Sequence, residues 1–558
     1  MNTQLKHSVI KISLALLCVI GFNMLASHWN FRWDLTKDKR YTLSQTTREV
    51  LADIHTPVLI DVLLKGDIPS DFLKLQTETR QLLDEYTSIN NKIRFNFVNP
   101  LEGETNTEQA LAELSQFGLS PLQIAQSEAG KASVAYIFPW AMVSDGERSE
   151  KVPLFVNKLG ATEQERIQYS VERLEYHFTD ALRKLILQKD KKIAVLKSNG
   201  TLDDIYIADF LQTIQTYYRV APFTLDSAAT NPAKTLQQLS EFDLLLVAKP
   251  TLPFSDEQKQ IIDQYVMQGG KLLWLMDAVN IAIEDLYNPT GTAMAMPMNL
   301  NVGDLFFPYG IRFNYNLIND LYFTQIVIAT GEGSQTRYTP IPWVYNPMLL
   351  SKNNTLINNN LDAMRMQFAN SIDTLANGIK KTILLSSSEL SKMDGVPREI
   401  SLNADPNKLD KNGYLHGNIP TAVLLEGEFT SMYKNRVTPI DLPSQKEQSV
   451  PTKMILLSDG DFIRNDISNN APLELGYDKW TNNFYDNKAF LLNSLNYLFD
   501  ETGLLALRNK KVQLAFLDKE KVAETQNSWK VKSLLIPLLI LMLIGIGTHF
   551  WYKKTFSR

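Results

Sequence analysis

Cysteine is almost missing: Cys18 is the only one in 558 residues, and it falls inside an apolar stretch near the N-terminus. That excludes a disulfide framework, a cysteine metal site and a thiol nucleophile from the rest of the chain. There is no basic excess either. The 56 Lys and Arg are outnumbered by 61 Asp and Glu, for a formal net charge of −5, so the electrostatic footprint of a nucleic-acid binder is absent. No phosphate loop appears. Gly269-Gly270-Lys271 lacks the required earlier glycine and the following Ser or Thr, and it closes a helix rather than opening one. Gly-x-Ser-x-Gly and His-Glu-x-x-His are missing as well, and no cofactor motif is present.

What is there begins with apolar segments at both ends. Val9 to Trp29 is mostly apolar, interrupted by Lys11 and Asn23. Leu534 to Trp551 is cleaner, with Trp529 and Lys530 before it and Tyr552, Lys553 and Lys554 after it. About 20 residues suffice to cross a bilayer as a helix, and aromatic flanks favour its interface. The first stretch is long for the apolar part of a cleaved signal peptide, so it reads as a retained anchor. Two spans place both termini on one side. Long loops translocate largely regardless of charge, so the large region is expected outside the cytoplasm and the termini inside it.

Between the spans the pattern is α/β. Asp243-Leu-Leu-Leu-Val-Ala248 and Lys271-Leu-Leu-Trp-Leu-Met276 read as strands buried on both faces of a parallel sheet. Ser255 caps a helix between them that stops at Gly269-Gly270. Ile193 to Leu196 opens this sheet, and Met454 to Ser458 resumes it before a final helix from Phe484 to Phe499. From Ala278 to about Val450, Asn, Gly, Pro and Met punctuation predicts an insertion of short strands with one helix near Leu361–Leu375. Further upstream, strands at 58–64 and 93–98 flank a helix at 70–86. A helix at 107–117 follows, then strands near 122–125, 132–143 and 150–155, and a long amphipathic helix from Thr162 to Leu187. That order suggests a thioredoxin-like domain without its redox cysteines. The expected organisation is an anchor at 1–30, collar and thioredoxin-like domain with its connecting helix at 31–190, a split doubly wound domain at 191–277 and 451–525 around the insertion at 278–450, and a second transmembrane helix at 530–552.

A doubly wound sheet binds ligands at the carboxyl ends of its strands. Asp277, Asp459 and Asp461 are expected there. Clustered carboxylates could bind a ligand or cation or act as acid and base. Asp-Gly is also a turn former and Asp461 a candidate helix cap, and that structural reading carries more weight because the spacing is a weak motif. Beside the membrane, Trp33, Arg40 and Tyr41 are the residue types of interface hot spots. Gly545 and Gly547 would let a partner's helix approach the second span.

The segment from Arg32 to Ser44 resembles the post-anchor signature of the gliding-motility ABC-transporter auxiliary (GldG) family. So do Pro57 to Asp67, Ala422 to Ser431 and Ser458 to Asn465, and the resemblance runs nearly end to end, both anchors included. It implies a non-catalytic subunit in the inner membrane of a member of the Bacteroidota, partnered by a separate permease and a separate ATPase. The central domain also resembles class I glutamine amidotransferase-like folds. Their nucleophile is a cysteine after a strand, and the soluble part of this chain has none. A scaffold without transport and a tethered hydrolase using the sheet-edge aspartates are the competing readings.

Overall fold

The structure is a computed structural model that describes residues 42–556, except 67, 104–105, 129–130, 331–336, 352–354, 403–410, 501–502 and 509–518, together with 13–14, 16–21 and 34. The chain divides into two compact units, Met1–Lys511 and Val512–Arg558. Residues 13–14 and 16–21 of the first apolar stretch are helical. The rest of that stretch, and Trp33, Arg40 and Tyr41 of the collar, lie outside the described residues.

The first unit opens with α1 (Gln45–Ala52), where the Ser44 hydroxyl accepts a hydrogen bond from the Thr47 amide. Then come β1 (Val58–Val62), α2 (Ser70–Ile89), β2 (Ile93–Phe97) and α3 (Thr107–Gln116). The hairpin of β3 (Leu122–Glu128) and β4 (Lys131–Ile137) stands apart as its own two-stranded sheet. Next are β5 (Trp140–Ser144) and β6 (Ser149–Pro153). Strands β2-β1-β5-β6 form one sheet, with β1 and β2 parallel and the rest antiparallel. The single strand expected at 132–143 is thus two strands in two sheets. Pro139 separates them because it has no N–H to donate to a continuing ladder.

Helix α4 (Glu163–Ile186) starts in a capping box in which Thr162 and Glu165 satisfy each other's amides. Its buried Glu175 accepts hydrogen bonds from the Ser44 amide (2.7 Å) and the Thr47 hydroxyl (2.9 Å), tying α1 to α4. His177 is half-buried on this helix; its Nε2 is enclosed and has no hydrogen-bond partner among the described residues, and desolvation holds its pKa well below the usual value.

The central sheet begins with β7 (Lys192–Leu196), α5 (Ala208–Gln215), β8 (Arg219–Phe223) and α6 (Pro232–Leu239). It continues with β9 (Leu244–Ala248), α7 (Asp256–Met267) and β10 (Lys271–Leu275). All five residues of β9 are buried. Each large aliphatic side chain there contributes about 1.5–3 kcal/mol relative to exposure. Ser255 and Gln258 form the capping box that starts α7.

The chain then leaves the sheet for short strands and a long hairpin, β11 (Phe323–Thr330) and β12 (Arg337–Leu349). The expected helix near 361–375 is absent; the described backbone there holds two short strands, Met364–Arg365 and Ile372–Thr374. Residues 278–450 also supply two strands of the central sheet, β13 (Lys380–Ser386) and β14 (Pro420–Gly427). Then come β15 (Thr452–Leu457) and helix α8 (Asn487–Leu498), followed by one short helical turn at Gly503–Leu507. The sheet order is β13-β14-β15-β10-β9-β7-β8. Its five strands from β15 to β8 are parallel, and β14 and β13 are antiparallel additions at one edge.

In the second unit, α9 (Lys519–Phe556) contains Ser528–Lys554, which has a mean hydropathy of 2.2. Among the described residues it is the one helix long and apolar enough to cross a membrane. Pro537 lies inside it, which membrane helices tolerate.

Candidate functional site

The parallel strands order as second-first-third-fourth-fifth, so the chain reverses direction across the sheet between β7 and β9. Ligands of such sheets bind at the carboxyl edge. Lys249 follows β9 there, Asp277 stands two residues beyond β10, and Asp459 and Asp461 follow β15. The structure brings these four together.

Lys249 is the residue that sequence reasoning missed, because Lys249-Pro250 reads only as a strand end. Its ammonium pairs with Asp277 Oδ2 at 3.4 Å and donates a hydrogen bond to Asp461 Oδ2. Its backbone is left-handed at φ 50°, a strain of roughly 1–2 kcal/mol for a residue with a Cβ. Gly460 is the residue that lets Lys249 lie here, since a Cβ at 460 would come within 2.7 Å of the Lys249 Cβ. The three aspartates divide the remaining contacts. Asp277 Oδ1 accepts from the Gly460 amide at 2.7 Å. Asp459 Oδ1 accepts from the Asp461 amide and Oδ2 from the Gln367 amide, both at 2.7 Å.

So the cap at the 461–463 turn is supplied by Asp459. Asp461, expected as a cap, makes no capping bond and pairs instead with Lys249 and, at 3.5 Å, with Arg464. A proximity of three carboxylates is costly unless a cation or a proton compensates it. Burial pushes the Asp277 carboxyl up to about 6, against the opposing pull of Lys249. Burial also raises Asp459, to well above the carboxylate range, and its two aspartate neighbours add to the effect. Burial alone would lower the Lys249 ammonium, but Asp277 and Asp461 more than reverse that and raise it.

Asp277 and Asp459 are buried beneath the surface, whereas Asp461 also lines an open cleft of about 440 Å³. Its walls come from the segments after β7, β10 and β15 and from hairpin β11–β12. Arg464 bridges Asp461 to Glu284, donating to the latter at 2.9 Å, and Arg365 pairs with Asp478 at 3.5 Å. Among the described residues no group of three or more His, Cys, Asp or Glu is placed to hold a metal ion. Gly545 and Gly547 lie in α9 with open space where a Cβ would stand.

Fold and site define an α/β protein whose doubly wound sheet closes its carboxyl edge on a buried Lys–Asp cluster beside an open cleft. The chain belongs to the family described as an ABC-type uncharacterized transport system, which it matches over residues 190–494, more than half its length. It is therefore an accessory protein of an ABC-type transport system. Residues 37–144 match a domain of unknown function. An uncharacterized protein of Borreliella burgdorferi is 21% identical over 443 residues, 77% of this chain and 80% of that one. Two solved structures show distant likeness. They are the N-terminal domain of mmIFT52 (TM-score 0.32, 10% identity, 55% of this chain and 97% of that one) and a ThuA-like protein from Parabacteroides merdae (TM-score 0.28, 10% identity, 59% and 93%).

Proposed function

We propose that this is a non-catalytic, membrane-anchored subunit of an ABC transporter linked to gliding motility in the Bacteroidota, working with a separate permease and a separate ATPase. The family match over residues 190–494, on a chain without a phosphate loop, is the observation that carries this reading. The large region sits outside the cytoplasm, held in the inner membrane by α9 and by the N-terminal span, with both termini inside. The N-terminal sheet is read as thioredoxin-like and the central one as glutamine amidotransferase-like. In the latter fold the nucleophile is a cysteine after a strand. Here the strained residue after buried strand β9 is Lys249, and its salt-bridged ammonium has no lone pair for attack. Asp277 and Asp459 act as structural partners of that lysine, and Asp461 is shared with the cleft.

Contact with the permease is assigned to the collar residues Trp33, Arg40 and Tyr41 and to the small-residue face at Gly545 and Gly547. Affinity purification of the full chain in mild detergent should retain a multi-span permease and a phosphate-loop ATPase. Trp33→Ala combined with Arg40→Ala should weaken that association and leave the folded unit's unfolding curve unchanged. Purification without any ATPase would remove the transporter reading. Protease added to spheroplasts should digest the region between the spans and spare tags at both termini; the opposite pattern inverts the topology.

A further inference from the structure

The cleft beside Asp461 holds charges and a buried polar atom that the fold does not use. Two of its cations are matched internally, Arg464 by Asp461 and Glu284 and Arg365 by Asp478. Two opposite charges are left over. The Asp466 carboxylate lines the cleft and makes no ion pair or side-chain hydrogen bond among the described residues; burial raises the neighbouring Tyr287 phenol, and Glu284 and then Asp466 add to that. The Lys479 ammonium is held only by the Ile467 carbonyl, at 3.0 Å, and by the face of Trp480, with no carboxylate in ion-pair range among the described residues. Between the hairpin and these loops, Asn346 also lines the cleft. It is 4% exposed, and its Oδ1 accepts no hydrogen bond from any of the described residues. A buried acceptor left empty costs about 1–3 kcal/mol, so a ligand N–H there would recover what the fold leaves unsatisfied.

We propose that this cleft binds a zwitterion, an amino acid or short peptide, with its ammonium on Asp466, its carboxylate on Lys479 and an N–H donated to Asn346 Oδ1. A simple anion would leave Asp466 unmatched, and a simple cation would leave Lys479 unmatched. The volume of about 440 Å³ is within the range of small-ligand pockets. The exposed Tyr287 offers an apolar face for a side chain or peptide plane. This inference goes beyond the accessory-subunit reading and does not depend on the identity of the permease.

The test is calorimetric titration of the full chain in mild detergent with alanine, dialanine and trialanine, each to about 10 mM, enough to detect millimolar Kd values. N-acetylalanine, which lacks the ammonium, and alanine amide, which lacks the carboxylate, are the controls. At least one zwitterion should bind, and each control about tenfold or more weaker, as expected for the loss of a charged hydrogen bond. The three lengths separate a free amino acid from a peptide as the source. Asp466→Asn should erase the preference over N-acetylalanine and leave the preference over alanine amide. Lys479→Met should do the reverse. Asn346→Leu should weaken every zwitterion, and a cooperative denaturation transition with a midpoint at or above that of the native chain would show that the variants are folded. If no zwitterion binds the folded chain, or if the controls bind equally well, the proposal is wrong.

Discussion

Lys249→Met should destabilise the large unit by about 3–5 kcal/mol at neutral pH, the usual cost of removing one partner from a buried charge group, and by far less near pH 5. The reason is the cluster that Lys249 closes. In the native protein its ammonium offsets Asp277 and Asp461, while Asp459 sits beside both. The Asp277 carboxyl is raised to about 6 from an unfolded value near 3.9. The folded state therefore holds this proton more tightly than the unfolded state does. Stability from that proton is present below about pH 4 and is lost as pH rises through about 6. The raised Lys249 ammonium acts in another window, its stability fully present below about 10.4 and lost above that. Without the ammonium, Asp277 and Asp459 lose the pull that lowers them. Their carboxyls then move further up, and the loss of stability with pH steepens and extends past 6. Denaturant unfolding of the variant and the native chain between about pH 5 and 8 reads this directly. Adding Asp461→Asn to Lys249→Met should recover part of the loss, because it removes one of the uncompensated carboxyls. A cost under about 1 kcal/mol that does not change with pH would mean that the lysine is not the compensating charge.

Asp263→Ala is the second large effect, again about 3–5 kcal/mol, from a different mechanism. Asp263 is fully buried on α7. Its Oδ1 accepts from the Tyr309 hydroxyl at 2.9 Å and the Met432 amide at 3.0 Å. Its Oδ2 accepts from the Ser431 hydroxyl at 2.6 Å and the Gln264 side chain at 3.1 Å. One carboxylate thus fastens the segments at 309 and 431–432 to the helix of the strand–helix–strand unit. Alanine takes the acceptor from the Tyr309 and Ser431 hydroxyls and the Met432 amide in a site closed to water, while the Gln264 side chain keeps its bond to the Lys446 carbonyl. Asp263→Asn keeps one accepting oxygen and should cost less, about 1–3 kcal/mol. Equal unfolding midpoints for the two variants would show that the accepting oxygen kept by asparagine contributes nothing.

Strand β9, helix α7 and strand β10 were legible because their signals are local: unbroken apolar runs, Ser255 as cap and Gly269-Gly270 as stop. Strand β8 was not. Arg219-Val-Ala-Pro-Phe223 is a short edge strand carrying a proline and a charge, a pattern that resembles a loop more than a strand. Strand β14 contains Ala422 to Gly427, a segment noticed as a motif and not as part of the sheet. Its position follows only from pairing with β15. The helix expected at 361–375 failed because apolar spacing was read without the tertiary contacts that extend the backbone there. At the site, the aspartates at strand ends were readable, and their cation was not. Lys249 and Asp461 are 212 residues apart, and no local rule links residues at that distance. The open cleft was legible only as a location, the carboxyl edge of the sheet. Asn346 and the rest of hairpin β11–β12 carried no signal at all.

The interruption of the central sheet has a consequence for how the protein is made. Strand β10 pairs with β15 in the register Leu272 to Met454, about 180 residues later. Between the two, the chain must build the long hairpin and two antiparallel strands that also depend on β15. At about 5–20 residues per second, a ribosome needs roughly 10–40 s to cover that distance. For all of that time, one side of β10, Leu272-Leu-Trp-Leu275, is an apolar strand with unpaired backbone groups. A nascent chain held at this stage would offer a ready pairing edge to any other extended segment. The newborn protein therefore depends on whatever shields that edge until residue 457 has been added.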